Sequence, residues 1–485
     1  MMIYYGRHGI PGGPMTRRIL LICAFLLLGG NLFPVHAAPV EWDDPTIATD
    51  TTWSGEILLR RNVVVSEGAT LRILPGTTVL VGVDNGIGLT VVGRLVIEGR
   101  EKAAVSFLPE KPGSSRALWE GIRLAGGKAA GHSLAGFRIE GAKDGISIND
   151  TAANISNGTF RGCGTGVRGY QKSVATIDNC VFDGNGAGAV ISLGGEGVFR
   201  GCRLVNIEGY GVVGDKGAVL KVSGCSFSRG KTGIFALTES PCRVEDSTFL
   251  SLEKGIVARQ MGKDSVISRC SFENNGTGVH AVQFCSIEIA DSAFRKNLAA
   301  LEAQEFSTLT VHHNRFEANQ AAVSLSRKSH ANVEHNVFLH NRNAVIVNYS
   351  SYPRIHGNNF ERNDMSVRLE RFQSGDWEER EGSLGVAGAE AARRGSHNIG
   401  IATRKVPLPR RVLARGNYWG PDADRDTAKG TMGKIWDGRK FGPVRYEGFG
   451  DKEYAIDVVD FTEEVASPVR EAGPRDGTGG AGDAR

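Results

Sequence analysis

Between residues 137 and 360 a large apolar residue returns every 22 or 23 positions: Phe137, Phe160, Phe182, Leu204, Phe227, Phe249, Phe272, Phe294, Phe316, Phe338 and Phe360. Five positions before these pivots, from Phe160 onward, stands a β-branched or aromatic residue, as at Ile177, Phe199, Val244 and Ile355. Seven positions after them usually stands Val, Ile or Leu, as at Val167, Ile256, Val345 and Val367. Apolar and polar residues alternate in between, the two-residue period of strands with one buried face. Helical heptads and the two-residue turns of antiparallel hairpins are both missing. A repeat of this length, holding two or three short strands and Gly/Asn turns, is one coil of a parallel β-helix. Stacked at ~4.8 Å per coil, the eleven pivots cover roughly 48 Å.

The turns carry their own columns. Two positions before the pivot the chain reads Cys180, Cys202, Cys225, Ser247, Cys270, Ser292, Asn314, Asn336 and Asn358. Three positions after it stand Asn185, Asn275, Asn297, Asn319, Asn341 and Asn363. Identical amides on successive coils can hydrogen-bond along the stack and satisfy groups that a tight inward turn buries, so these asparagines are read as structural. Cys180, Cys202 and Cys225 fall in one column at disulfide range, yet parallel stacking points their side chains along one another. The passage from Cys to Ser to Asn fits a small, weakly polar niche, and the reading is a buried thiol stack with a bridge left open. No CxxC and no Cys/His zinc spacing occurs.

The 65 glycines among 485 residues, nearly twice the ~7% average, agree with a chain full of tight turns. The formal charge of +4 owes three cations to residues 1–37, which hold Arg7, Arg17 and Arg18 and no acid; the rest has 54 basic against 53 acidic side chains. Net charge therefore implies no nucleic-acid partner. Arg17 and Arg18 precede the apolar run 19–28, and Val35-His36-Ala37 supplies small residues at a cleavage site, so residues 1–37 read as a secretory leader cleaved after Ala37. The run is shorter than the ~20 residues of a spanning helix. The mature protein is expected in the periplasm or beyond, without membrane insertion.

The text Cys270-Ser271-Phe272-Glu273-Asn274-Asn275-Gly276-Thr277-Gly278-Val279 resembles the repeats of right-handed, single-stranded parallel β-helix proteins of the pectin-lyase-like class, in the secreted carbohydrate-binding and sugar-hydrolase group. Residues 62–79 and Trp119-Glu120-Gly121-Ile122 look like opening coils of that group, and Gly416-Asn417-Tyr418-Trp419-Gly420-Pro421 like its terminal coil, including that of a periplasmic protein that helps mature copper sites. The likeness covers about residues 50 to 420. It implies an all-β solenoid with an N-terminal cap and first coils over 38–125, regular coils over 126–372, a flexible insertion over 373–410, a last coil and C-terminal cap over 411–465, and a disordered tail over 466–485.

The resemblance implies polysaccharide chemistry for the enzymes of the class, which use clustered acids as hydrolases or acidic Ca²⁺ ligands with an Arg or Lys base as lyases. The hydrolase strings Asn-Thr-Asp, Gly-His-Gly and Arg-Ile-Lys are absent, and the one Asp-Asp, Asp43-Asp44, precedes the coils. No catalytic residue is assigned. The expectation is a non-catalytic scaffold recognising a polysaccharide or cell-surface glycan, with Phe235, Tyr349 and Tyr352 as flat platforms for sugar rings. A lyase, hydrolase or epimerase is the alternative, and metal delivery a second one. For the latter, His312, Glu334 and His356 project from consecutive coils, two imidazoles and a carboxylate of the kind that suit Zn²⁺ or Cu²⁺, beside His313 and His335. No other cofactor is expected.

Overall fold

Alternation closes each coil into three strands. In one of them, Thr308–His312, Arg315–Glu317 and Ala321–Leu325 follow one another before the next coil begins at His330–Glu334. Left-handed residues make the corners: His313 (φ 55°), Ala318 (φ 55°), and the pair Arg327 (φ 52°) and Lys328 (φ 63°). The computed structural model describes residues 39–83, 86–111, 119–126, 131–260, 265–382, 408–426 and 429–475, so the expected leader lies outside the described residues. Successive coils stack into three parallel sheets: sheet A from Val40–Glu41 to Asn359–Glu361, sheet B from Thr46–Ile47 to Ile435–Trp436, and sheet C from Thr51–Trp53 to Val458–Asp460. The chain is an all-β, right-handed parallel β-helix with coils of about 22 residues.

The pivots lie on sheet A, point inward, and pair in register from Phe227 through Phe249, Phe272, Phe294, Phe316 and Phe338 to Phe360. Their rings stack at 4.7 to 5.0 Å between centroids. Both amide columns form as ladders. Asn275 donates its side-chain amide to Asn297 at 3.1 Å, and the bond repeats at 3.0 Å to Asn319, Asn341 and Asn363. At the other corner Asn314, Asn336 and Asn358 are linked in the same way at 3.0 Å. The seven cysteines among the described residues are buried free thiols. Burial pushes Cys163 and Cys180 up to about 12, which leaves them protonated and unreactive.

After Met365–Leu369 the chain leaves the ladder. Residues 373–382, the start of the expected insertion, are built into the C-terminal end, and residues 383–407 lie outside the described residues. Ser374 caps the short helix α1, Gly375–Arg380, by accepting from the Trp377 N–H at 3.0 Å. The buried Asp457 carboxylate gathers three donors, the Tyr352 hydroxyl at 2.9 Å, the Gln373 amide at 3.0 Å and the Gly375 N–H at 2.9 Å, and so fastens helix and last coil together. Arg411–Leu413 rejoins sheet C, and Asn417 enters the amide ladder below Asn358 at 3.0 Å. Trp419 then stacks on Phe360 at 4.8 Å.

Where composition suggests a disordered tail from 466, residues 466–475 run back along the corner between sheets C and A. Asn359 exchanges two hydrogen bonds with Val469, the Gly473 N–H donates to the His335 carbonyl at 2.8 Å, and Arg475 forks onto Asp291 at 2.6 and 2.9 Å. Specific pairing, invisible to composition, anchors this strap. Residues 476–485 lie outside the described residues.

The C-terminal cap also sets an acid limit. Arg415 hydrogen-bonds the Asp460 carboxylate, helped by the Thr462 hydroxyl and N–H, and against the effect of burial these hold it down to about 2. A carboxyl depressed in the folded state stabilises above its unfolded value and loses that contribution as pH falls. The C-terminal end is therefore expected to weaken as pH falls from ~3.9, the unperturbed Asp value, toward about 2. Thermal melts across that window check it; Asp460→Asn should flatten the acid limb, and an unchanged limb would refute the assignment.

Candidate functional site

Outward-facing residues of sheet B form one column along the axis, because each strand alternates faces and every coil repeats the register. Arg123, Ser147, Arg168, Val190, Val213 and Phe235 are successive rungs. At the N-terminal half this face is hollowed into an open groove of about 620 Å³. A β-bulge between Gly121 and Ile122 shapes it. Gly121 takes φ +106°, and a Cβ there would stand 1.6 Å from the Asp144 carbonyl oxygen, so only glycine fits this close approach.

The groove charges are arranged in pairs. Lys143 meets Glu120 at 3.2 Å, and the Arg168 Nε donates to both Asp144 oxygens at 3.0 and 2.9 Å while its Nη2 donates to the Thr165 hydroxyl at 2.7 Å. Arg123 has no ion-pair partner among the described residues. Two coils separate it from Arg168, about 10 Å at the sheet spacing. Beyond the groove the face turns apolar: Phe235 stacks on the exposed Tyr210 at 4.8 Å and 14°. Further along, Lys254 stands 3.3 Å from the Nδ1 of His280, and Glu302 lies 3.9 Å from its Nε2. Burial is the main reason that His280 lies below its ordinary pKa, so a neutral ring accepts from the Lys254 ammonium.

The three sequence-derived sugar platforms do not meet. Phe235 belongs to the sheet B face. Tyr349 lies five coils further on, at the corner between sheets B and C, 40% exposed and stacked on Phe372 at 4.9 Å. Tyr352 has its hydroxyl on Asp457 in the C-terminal end, where burial and that carboxylate raise its pKa. Sequence reasoning missed Arg123, Arg168 and Tyr210, and the repeat reveals only that Arg168 faces outward, not that a groove lies there. In regular coils the outward residue follows the inward position seven after the pivot, as Arg168 follows Val167.

His312, Glu334 and His356 are register partners as expected. Their ring nitrogens face elsewhere: His312 Nε2 meets Glu288 at 3.2 Å, its Nδ1 meets His313 Nδ1 at 3.0 Å, and His356 Nδ1 donates to the Arg415 carbonyl at 3.0 Å. Among the described residues no three His, Cys, Asp or Glu side chains are grouped to hold a metal ion. No described helix is long and apolar enough to cross a membrane.

Comparison with known proteins bears on the fold. No curated protein matches the chain. A crystal structure of the periplasmic alginate epimerase AlgG aligns over 65% of this chain and 74% of its own at 11% identity and a TM-score of 0.29. The A-module of the Azotobacter vinelandii mannuronan C-5 epimerase AlgE4 aligns over 67% and 83% at 12% identity and a TM-score of 0.26. Neither likeness carries an argument about chemistry. The model of the right handed beta helix region matches residues 120–264 and 214–363, together just over half of the sequence. The chain thus belongs to the right-handed β-helix family.

Proposed function

We propose that the protein is a secreted or periplasmic, non-catalytic scaffold that recognises a polysaccharide along the outer face of sheet B. The observation that supports this reading is the continuity of that face, where a polar groove with fixed hydrogen-bonding charges runs straight into an exposed aromatic stack. Sugar polymers present hydroxyls on their ring edges and apolar C–H faces, and a long open surface suits an extended chain better than a closed pocket does. Among the described residues each groove carboxylate is committed to a cation and no imidazole lines the groove, an arrangement better suited to holding a ligand than to moving protons.

The experiment is a glycan array on the purified protein, with Arg123→Ala and Phe235→Ala beside it. Binding of at least one polysaccharide class, weakened about tenfold or more in either variant, a loss of about 1.4 kcal/mol, is the expected result. The same polysaccharides are then incubated with the protein, with and without Ca²⁺, and examined for unsaturated, shortened or epimerised products. Turnover would replace the scaffold by the lyase, hydrolase or epimerase reading. Failure to bind any glycan would dismiss both.

A further inference from the structure

A second surface lies at the corner between sheets B and C, beginning two coils beyond Phe235. Paired left-handed residues turn the chain there at 283–284, 305–306, 327–328 and 349–350, so their side chains form a band at the rim of the solenoid. Phe284 and Phe306 occupy it on consecutive coils, 66% and 51% exposed, and stack at 5.3 Å and 8°. Tyr349, Phe372 and Tyr446 make a second stack, at 4.9 and 5.1 Å. Between the two stacks one coil carries no ring. It holds Arg327, which is drawn onto Glu305 at 2.7 Å, and Lys328, which reaches past Phe306 to Glu378 at 2.7 Å. The ammonium of Lys328 stands 6.0 Å from the Phe306 ring.

The interruption is a cavity of about 300 Å³. Phe306, Tyr349 and Trp377 of α1 line it, together with Arg327, Lys328, Ser350 and Glu378. Two coil steps give a gap of about 10 Å, room for one ring at the ~4.8 Å spacing on each side. Glu378 is buried, with its carboxylate held by Lys328 and by the Ser350 hydroxyl at 3.4 Å. A planar aromatic guest has no use for such a fringe. A pyranose does, because its faces are apolar C–H surfaces while its rim carries hydroxyls that both donate and accept.

We propose that this gap is a monosaccharide site, in which one sugar ring completes the aromatic column between Phe306 and Tyr349 and is held at its edge by Arg327, Ser350 and Glu378. It is distinct from the groove on sheet B and suits a terminal or branching residue, since α1 blocks passage of a chain on one side.

The test titrates the full chain with D-galactose, N-acetyl-D-glucosamine, L-rhamnose and D-glucuronate while Trp377 fluorescence is followed, with Trp377→Phe to identify the signal. At least one sugar should give a saturable change with a Kd on the order of 1 mM, weakened about tenfold or more by Phe306→Ala and by Tyr349→Ala. Both side chains are substantially exposed, so both variants should fold, and an unchanged melt confirms it. Arg123→Ala should lose polysaccharide on the array yet keep this response, which separates the two sites. No saturable response to any of the four sugars, an undiminished response in the alanine variants, or saturation by benzamide in place of the sugars would overturn the proposal.

Discussion

Phe272→Ala should lower the stability of the solenoid by roughly 3–5 kcal/mol, the cost of removing a fully buried aromatic ring from a core with little freedom to collapse. The ring is wholly enclosed and lies between Phe249 and Phe294, each with its centroid 4.7 Å away. Both neighbours would lose a stacking face at once, and no side chain from another layer can move in. Because coils contact chiefly their neighbours, the loss should be local, with amide exchange quickening over the coils that carry Phe249, Phe272 and Phe294 while the N-terminal coils stay protected. Hydrogen exchange with thermal or denaturant melts provides the check; a variant as stable as the parent would mean that the pivots do not hold the stack together.

Asn336→Leu should be nearly as damaging, for a different reason. The Asn336 side-chain oxygen accepts from the Asn314 N–H at 2.9 Å and from the Asn314 side-chain amide at 3.0 Å, while its own amide serves the Val311 and Glu334 carbonyls at 2.9 Å each. Leucine keeps the branched outline, though it is bulkier, and leaves the Asn314 N–H bare in a buried turn, at about 1–3 kcal/mol for each group orphaned. Asn336→Ser should recover part of the loss, since Ser292 in the same column accepts from the Cys270 N–H at 3.1 Å. If leucine and serine cost the same, the ladder contributes shape rather than hydrogen bonds.

The regular coils were legible because an inward position faces the same environment on every turn, so the Phe, Asn and Cys columns repeat in the sequence as they do in space. The outward residues obey no such constraint. Arg123, Ser147, Arg168, Val190 and Phe235 share a column but no chemistry, and nothing in their spacing distinguishes a groove from an ordinary solvated face. Flatness likewise placed Tyr352 beside Tyr349, although a buried carboxylate from residue 457 claims the first and leaves the second on the rim. Contacts across 105 residues of sequence, as between Tyr352 and Asp457, or 184, as between Asp291 and Arg475, leave no periodic trace.

The return of Asn417 to the amide ladder after a 59-residue excursion shows that one coil accepts the next by its edge alone, whatever chain lies between. Edges of this kind are interchangeable. Duplication or loss of a 22-residue unit would keep every column intact, whereas inserting a single residue within a strand would turn its buried face outward. Such a molecule can change in evolution by whole coils, growing or shrinking its outer face in steps of about 4.8 Å. The distance between two binding features on that face then becomes a countable quantity, adjustable one coil at a time to the repeat of whatever polymer lies along it.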